Sequence, residues 1–217
     1  MKFAAVILDL DGTIIESEEE WGKAFITVMQ KLGVNVVSDP HTVGTSIESN
    51  WREILLKHSI KTNKTLQELE LLSYDEYEKL IPLITLNDGV LEFMDTLKEN
   101  GTPLGLATST NWQTADKILK HFGLDDYFES ITTGEEAVNQ KPAPDIYLIA
   151  ADKFGIAPED CLVVEDSLAG VTAAHEAGMK VIAVTQDENI DKLYIADLVV
   201  EGFSEITLKA IDAIGED

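Results

Sequence analysis

The sequence predicts an α/β protein whose parallel sheet is covered by helices on both faces and interrupted once by an all-helical insertion. Three observations carry this expectation. From about residue 83 onward, short apolar runs alternate with amphipathic helical stripes, the pattern of a parallel sheet built from strand–helix–strand units. A further apolar run, Ala4–Leu8, opens the chain and needs a place in the same sheet. Between the two, residues 16–82 keep helical spacing throughout, with no strand signal. The expected domains are an α/β core, 1–15 with 83–217, and a helical cap, 16–82.

Taken in order, Ala4–Leu8 is a strand buried on both faces that ends in Asp9-Leu10-Asp11-Gly12-Thr13. Ser17-Glu18-Glu19-Glu20 offers a capping box. Trp21, Ala24, Phe25, Val28, Met29 and Leu32 then recur at helical spacing, and Gly33 stops them. Val34–Thr45 is irregular around Asp39-Pro40. Ile47, Trp51, Ile54, Leu55 and His58 make a second stripe, and Leu66, Leu69 and Leu72 a third. Ser73-x-x-Glu76 is expected to cap a fourth short helix through Tyr77 and Leu80, closed near Pro82. After the turn at Asn87-Asp88-Gly89, a helix carries Val90, Phe93, Met94 and Leu97. Strands over Pro103–Thr108, Ser130–Thr133, Cys161–Val164, Val181–Val184 and Leu198–Val200 follow. Helices over Trp112–Phe122, Pro144–Phe154, Ser167–Ala177 and Ile206–Ile214 fill out the remainder.

The net charge of −24, from 40 acidic and 16 basic residues, argues against nucleic acid or an anionic membrane as partner, since both call for a basic surface. Arg52 is the only arginine, so an anionic substrate must be held by lysine, backbone N–H groups, a metal or that one residue. No apolar run approaches the ~20 residues of a membrane helix, and no secretory leader pattern opens the chain. The single Cys161 cannot form an internal disulfide and fits a reducing compartment, so a cytoplasmic protein is expected. Oligomeric state is open, with a monomer sufficient.

Chemistry gathers at the predicted strand ends. Asp9 and Asp11 fall where open α/β sheets bind ligands. Two like charges so close call for a cation or a shared proton. A plain Asp-Gly turn is the competing explanation of that stretch. Thr108-Ser109-Thr110 clusters hydroxyls at a helix start, as an anion site or as ordinary capping. Lys141-Pro142-Ala143-Pro144 holds a lone lysine in a rigid loop. Glu165-Asp166 ends a buried strand; helix capping explains Asp166 and leaves Glu165 without a task. Together these are hard oxygen ligands for Mg²⁺, a carboxylate able to attack phosphorus, and positive charge for phosphoryl transfer.

The order Asp9-x-Asp11-Gly12-Thr13, Thr108-Ser109, Lys141-Pro142, Glu165-Asp166 resembles the four motifs of the haloacid dehalogenase superfamily. The run Val164–Val171, with Ala173-Ala174 and Ala177-Gly178, is similar to the β-phosphoglucomutase-like branch, whose small cap the helical insertion matches. The resemblance implies a Rossmann-like core, Mg²⁺ as cofactor and a small phosphorylated molecule as substrate. It implies Asp9 as nucleophile and metal ligand, and Asp11 as acid and base with its backbone carbonyl on the metal. Thr108, Ser109 and Gly12 would surround the phosphoryl oxygens, and Lys141 would neutralise charge. Asp166 would ligate Mg²⁺, with Glu165 as a further ligand or an anchor behind it.

Mutases of that branch carry a cap histidine and a cap arginine where this chain has Trp21 and Ile47; Arg52 lies nearby at a different helical position. A mutase needs a second anion site, so a phosphatase acting on a small phosphomonoester is the expected function, with a phosphosugar mutase as the alternative. Dehalogenases lack the second aspartate, which is present here as Asp11. Trp21 and Arg52 are the cap candidates for substrate contact, although Trp21 and Trp51 also lie on stripes that suit a cap core. A phospho-acceptor signalling module would use similar residues, but on a chain about half this length and without the helical insertion.

Overall fold

The computed structural model describes residues 2–36, 38–185 and 193–214. Its contacts divide the chain into two units, Met1–Glu16 with Leu86–Asp217, and Ser17–Thr85. Leu83, Ile84 and Thr85 thus group with the helical unit rather than with the α/β unit.

In the α/β unit, strands β1 (Ala5–Leu8), β4 (Leu104–Thr108), β5 (Ser130–Thr133), β6 (Cys161–Glu165), β7 (Lys180–Val184) and β8 (Leu198–Val200) form one parallel sheet in the order β5-β4-β1-β6-β7-β8. Two short strands, β2 (Ile15–Glu16) and β3 (Thr85–Leu86), make a separate two-stranded sheet. Two residues are too few to show an alternation, so the sequence carried no signal for them. β1 lies in the middle of the large sheet, with Val6 opposite Leu104 on one side and Leu162 on the other. All its residues are buried, as helices on both faces of a parallel sheet require.

The helices of this unit are α4 (Val90–Glu99), α5 (Trp112–Phe122), α6 (Asp145–Phe154), α7 (Leu168–Glu176) and α8 (Leu208–Ile214). A 3₁₀ turn at Phe203–Glu205 precedes α8, which starts at Leu208 and not at the expected Ile206. Alanines 150 and 151 of α6 and 173 and 174 of α7 pack in one core cluster with Ile7, Val163 and Tyr147. Such small residues let helix backbones approach the sheet. Because every strand of the large sheet runs the same way, Asp9, Thr108, Thr133 and Glu165 all fall on one edge.

The helical unit holds α1 (Glu18–Lys31), α2 (Ile47–Lys57) and α3 (Leu66–Tyr77). The capping box expected at Ser17 is not formed: Ser17 makes no side-chain cap hydrogen bond, and Glu20 pairs with Lys23 at 3.1 Å. A complete capping box closes instead between Thr65 and Glu68. No fourth helix starts at Ser73 either. α3 runs on to Tyr77 and tightens into a 3₁₀ turn over Glu78–Leu83. Ser73 is buried in mid-helix, donating to the Leu69 carbonyl at 3.0 Å and accepting the Trp51 indole N–H at 2.8 Å. A buried indole N–H needs a partner, and a helical serine can serve it while bonding back to its own turn. Among the described residues no helix is long and apolar enough to cross a membrane.

Candidate active site

Asp9 follows the last residue of β1, and its N–H donates to the Val164 carbonyl at 3.1 Å, which ties the strand end to β6. Its carboxylate is almost buried and accepts from Lys141 Nζ at 2.6 Å. The same ammonium donates to Glu165 Oε1 at 2.7 Å and to the Ala107 carbonyl at 3.2 Å. An ammonium has three N–H bonds, and each one is accounted for.

Glu165, the last residue of β6, is 1% exposed and heavily bonded. Oε1 accepts from Lys141 and from the Tyr147 hydroxyl at 3.0 Å. Oε2 accepts from the N–H groups of Asp166 and Ser167, both at 2.9 Å, and from Ser167 Oγ at 3.0 Å. α7 begins directly behind it. A Cβ placed on Gly170 would stand 1.6 Å from Oε1, so only glycine admits the carboxylate here. Glu165 is therefore occupied as an anchor, and direct ligation of a metal would require it to shed donors.

Asp166 lies one residue further, half-buried, with Oδ1 accepting from Thr13 Oγ1 at 2.9 Å. Gly12 has φ +84, and a Cβ there would stand 2.2 Å from Asp166 Oδ2. The Asp-Gly turn of the first motif is thus shaped around Asp166. Asn87 Nδ2 donates to the carbonyls of Gly12 at 2.9 Å and Thr13 at 2.6 Å, which fixes that turn from below. Asp11 accepts from Thr110 Oγ1 at 2.7 Å through Oδ2, and Thr110 N donates to Thr108 Oγ1 at 3.0 Å. Ser109, between them, is half-buried.

Burial pushes the Asp9 carboxyl well above the usual carboxylate range; Lys141 opposes the shift, and Glu165 and Asp11 add to it. Burial also works against the Glu165 charge, but Lys141 and the Ser167 donors outweigh it and hold this group below its ordinary range. Burial disfavours the Lys141 ammonium, yet Asp9 and Glu165 more than compensate, so it stays charged. The Tyr147 phenol is pushed well above its ordinary value by burial and then by Glu165, so it keeps its proton.

Asp9, Glu165 and Asp166 offer oxygen atoms that lie within 4.8 Å of one another, a donor set suited to a hard divalent cation such as Mg²⁺.

Lys141, Asp9, Glu165 and Asp166 are thus brought together, and Thr108, Thr110 and Asp11 form a second bonded group. The cap candidates stand differently within their own unit. Trp21 is buried, stacked on Tyr77 with ring centroids 3.8 Å apart and edge-on to Tyr74 at 5.5 Å, so packing accounts for its ring. Arg52 is exposed on α2 and forked onto Glu48 one turn away, the ordinary pairing of a helix surface. Trp51 is fully buried. Sequence reasoning had no role for Tyr147 or Asn87, and no individual role for Thr13 or Thr110. The threonines lay inside quoted motifs, whereas Tyr147 and Asn87 carried only the signals of a core aromatic and a turn residue.

Residues 6–184 match the haloacid dehalogenase-like hydrolase family. Hexitol phosphatase B of Escherichia coli is 30% identical over 213 residues, covering 94% of this chain and 95% of that protein. β-Phosphoglucomutase of Bacillus subtilis is 32% identical over 215 residues, covering 95% and 93%. The crystal structure of β-phosphoglucomutase from Clostridium difficile matches with a TM-score of 0.86 at 26% identity, over 99% of this chain and 97% of that one.

Proposed function

The chain belongs to the haloacid dehalogenase-like hydrolases and is a phosphomonoester hydrolase of that type, and from this premise we propose that it hydrolyses a sugar phosphate or similar small metabolite through an aspartyl-phosphate on Asp9. The observation that carries the reading is the buried contact of Asp9 with Lys141, which sets a carboxylate and a fixed cation side by side at the strand end. Burial alone favours neutral Asp9; Lys141 favours the charged form that can attack phosphorus.

In the first step an Asp9 oxygen bonds to phosphorus as the bond to the leaving oxygen breaks, and Asp11 gives that oxygen a proton. Thr110 Oγ1 donates to Asp11 Oδ2, which orients the carboxyl that gives and takes this proton. Asp11 then takes a proton from water as the water oxygen attacks phosphorus, and Asp9 is released with inorganic phosphate. Thr108, Ser109 and the N–H groups beside Gly12 hold the phosphoryl oxygens, whereas the N–H of Gly12 itself is engaged by the Ile15 carbonyl at 2.8 Å. Asp9, Asp166 and the Asp11 carbonyl would hold Mg²⁺, with Glu165 anchoring from behind. When bound, the ion would neutralise charge developing on the phosphoryl oxygens.

A mutase reading is favoured by the β-phosphoglucomutase relatives. Against it, Trp21 packs in the cap core and Arg52 is engaged by Glu48. The test is phosphate release from a panel of phosphomonoesters with Mg²⁺, beside Asp9→Asn. The variant is expected to lose essentially all turnover, and full activity in it would sink the mechanism. Conversion of β-glucose 1-phosphate to glucose 6-phosphate would favour the mutase.

A further inference from the structure

We propose that Tyr147 is a positioning residue for Lys141, acting through Glu165; the proposal rests on the reading of Lys141 as the cation that faces the phosphoryl group. Two of the three acceptors of the ammonium are held by the sheet itself. Ala107 offers a main-chain carbonyl of β4, and Asp9 directly follows β1. The third, Glu165 Oε1, is at the end of a longer side chain whose position must be imposed. Backbone N–H groups and Ser167 hold Oε2. Oε1, the oxygen that meets the ammonium, is held besides Lys141 by the Tyr147 hydroxyl.

The geometry of Tyr147 fits this task. It is fully buried on α6, and the helix begins four residues after Lys141. Its ring lies under the ammonium, with Nζ 4.9 Å from the centroid, while its hydroxyl reaches Glu165. One side chain thus touches both ends of the ion pair, the cation with its face and the anion with its edge. Packing explains the ring but not the oxygen. Phenylalanine would fill the same apolar space without the cost of burying a phenol, and a buried phenol is tolerated where it donates a hydrogen bond.

The consequence concerns turnover. All three N–H bonds of Lys141 are engaged, so contact with a phosphoryl oxygen requires one to be released. The 3.2 Å bond to Ala107 is the longest and the natural one to exchange. Tyr147 keeps Glu165 Oε1 in place during that exchange, so Nζ pivots on its two carboxylates instead of following a wandering glutamate.

The experiment compares wild type, Tyr147→Phe, Glu165→Gln, the double variant and Lys141→Ala in the full-length chain. Steady-state turnover is measured on whichever phosphomonoester is hydrolysed best. The dissociation constant of inorganic phosphate is measured by calorimetry with Mg²⁺ present. Tyr147→Phe is expected to lower kcat/KM about three- to tenfold and to weaken phosphate binding by a similar factor. Half-saturating Mg²⁺ should change less than about twofold. A merely structural role would reduce the active fraction and leave the phosphate constant and KM where they were; that result overturns the proposal. In the Glu165→Gln background the Tyr147→Phe effect should shrink toward nothing, and an undiminished effect would show that Tyr147 does not act through Glu165. If Glu165→Gln does not fold, the phosphate constant of Tyr147→Phe decides alone. Full activity of Lys141→Ala would remove the reading on which the proposal rests, whereas an inactive Lys141→Ala beside a wild-type-like Tyr147→Phe would defeat only the role of Tyr147.

Discussion

Gly170→Ala reverses the usual expectation for a glycine in a helix. Gly170 lies in the first turn of α7, and alanine there would ordinarily stabilise by up to about 1 kcal/mol. The added methyl would fall 1.6 Å from Glu165 Oε1 and 1.9 Å from Cδ, far inside contact distance. Glu165 cannot step aside cheaply, because its oxygens accept from Lys141, Tyr147, Asp166 and Ser167. Moving Oε1 sacrifices the bonds to Lys141 and Tyr147, each worth about 1.5–3 kcal/mol for a charged group. Set against the helical gain, the net loss is about 2–5 kcal/mol. At about 2–4 °C per kcal/mol for a chain of this size, the midpoint should fall by about 4–20 °C. Thermal unfolding followed by circular dichroism measures it, with Gly202→Ala, an extended position where an added Cβ meets nothing within 4 Å, as the comparison. Activity should fall with it, since Lys141 loses an acceptor. A Gly170→Ala protein as stable as wild type would refute the claim that Glu165 is a fixed anchor.

Two further outcomes follow from the geometry. His41, stacked on Phe25, bonds Glu18 at 2.9 Å and Asp39 at 2.7 Å through its two ring nitrogens. Burial works against its charge, but the two carboxylates prevail and raise its pKa above the ordinary 6.5. Its stabilising contribution is therefore complete below the unfolded value and lost as pH rises through the folded one. The midpoint difference between wild type and His41→Gln should be larger at about pH 6 than at about pH 9, and a difference that is flat or grows with pH would contradict the assignment. Asp166→Asn should raise the Mg²⁺ concentration for half-maximal activity at least about tenfold, as read by titrating activity after chelation; an unchanged value would remove Asp166 from the ligand set.

Much of this architecture was legible because it is written in local patterns. Ala5–Leu8, Leu104–Thr108 and Cys161–Glu165 are apolar runs too short for helices, and the polar residues that end them identify the working edge of the sheet. The opening Asp9-Leu10-Asp11-Gly12-Thr13 stretch and the Glu165-Asp166 pair stood out because charge at the end of a buried strand is costly without a partner. Ser17 and Ser73 show where local rules lose to tertiary ones. Both fit a capping pattern, yet Ser17 makes no cap bond with its side chain, and Ser73 was needed for an indole N–H 22 residues away in sequence.

The sequence by itself determined the alternation of strand and helix, the helical insertion, and the kinds of group available at the strand ends, because each depends on neighbours along the chain. Tertiary structure alone decided how those groups divide their work. Lys141 meets Asp9 across 132 positions and Glu165 across 24, and Tyr147 meets Glu165 across 18. No periodicity encodes such distances; they arise from the register of β1 against β6 and the seating of α6 and α7. That packing is what turns Glu165 from one more carboxylate into an anchor, and Trp21 from a candidate platform for substrate into part of the cap core.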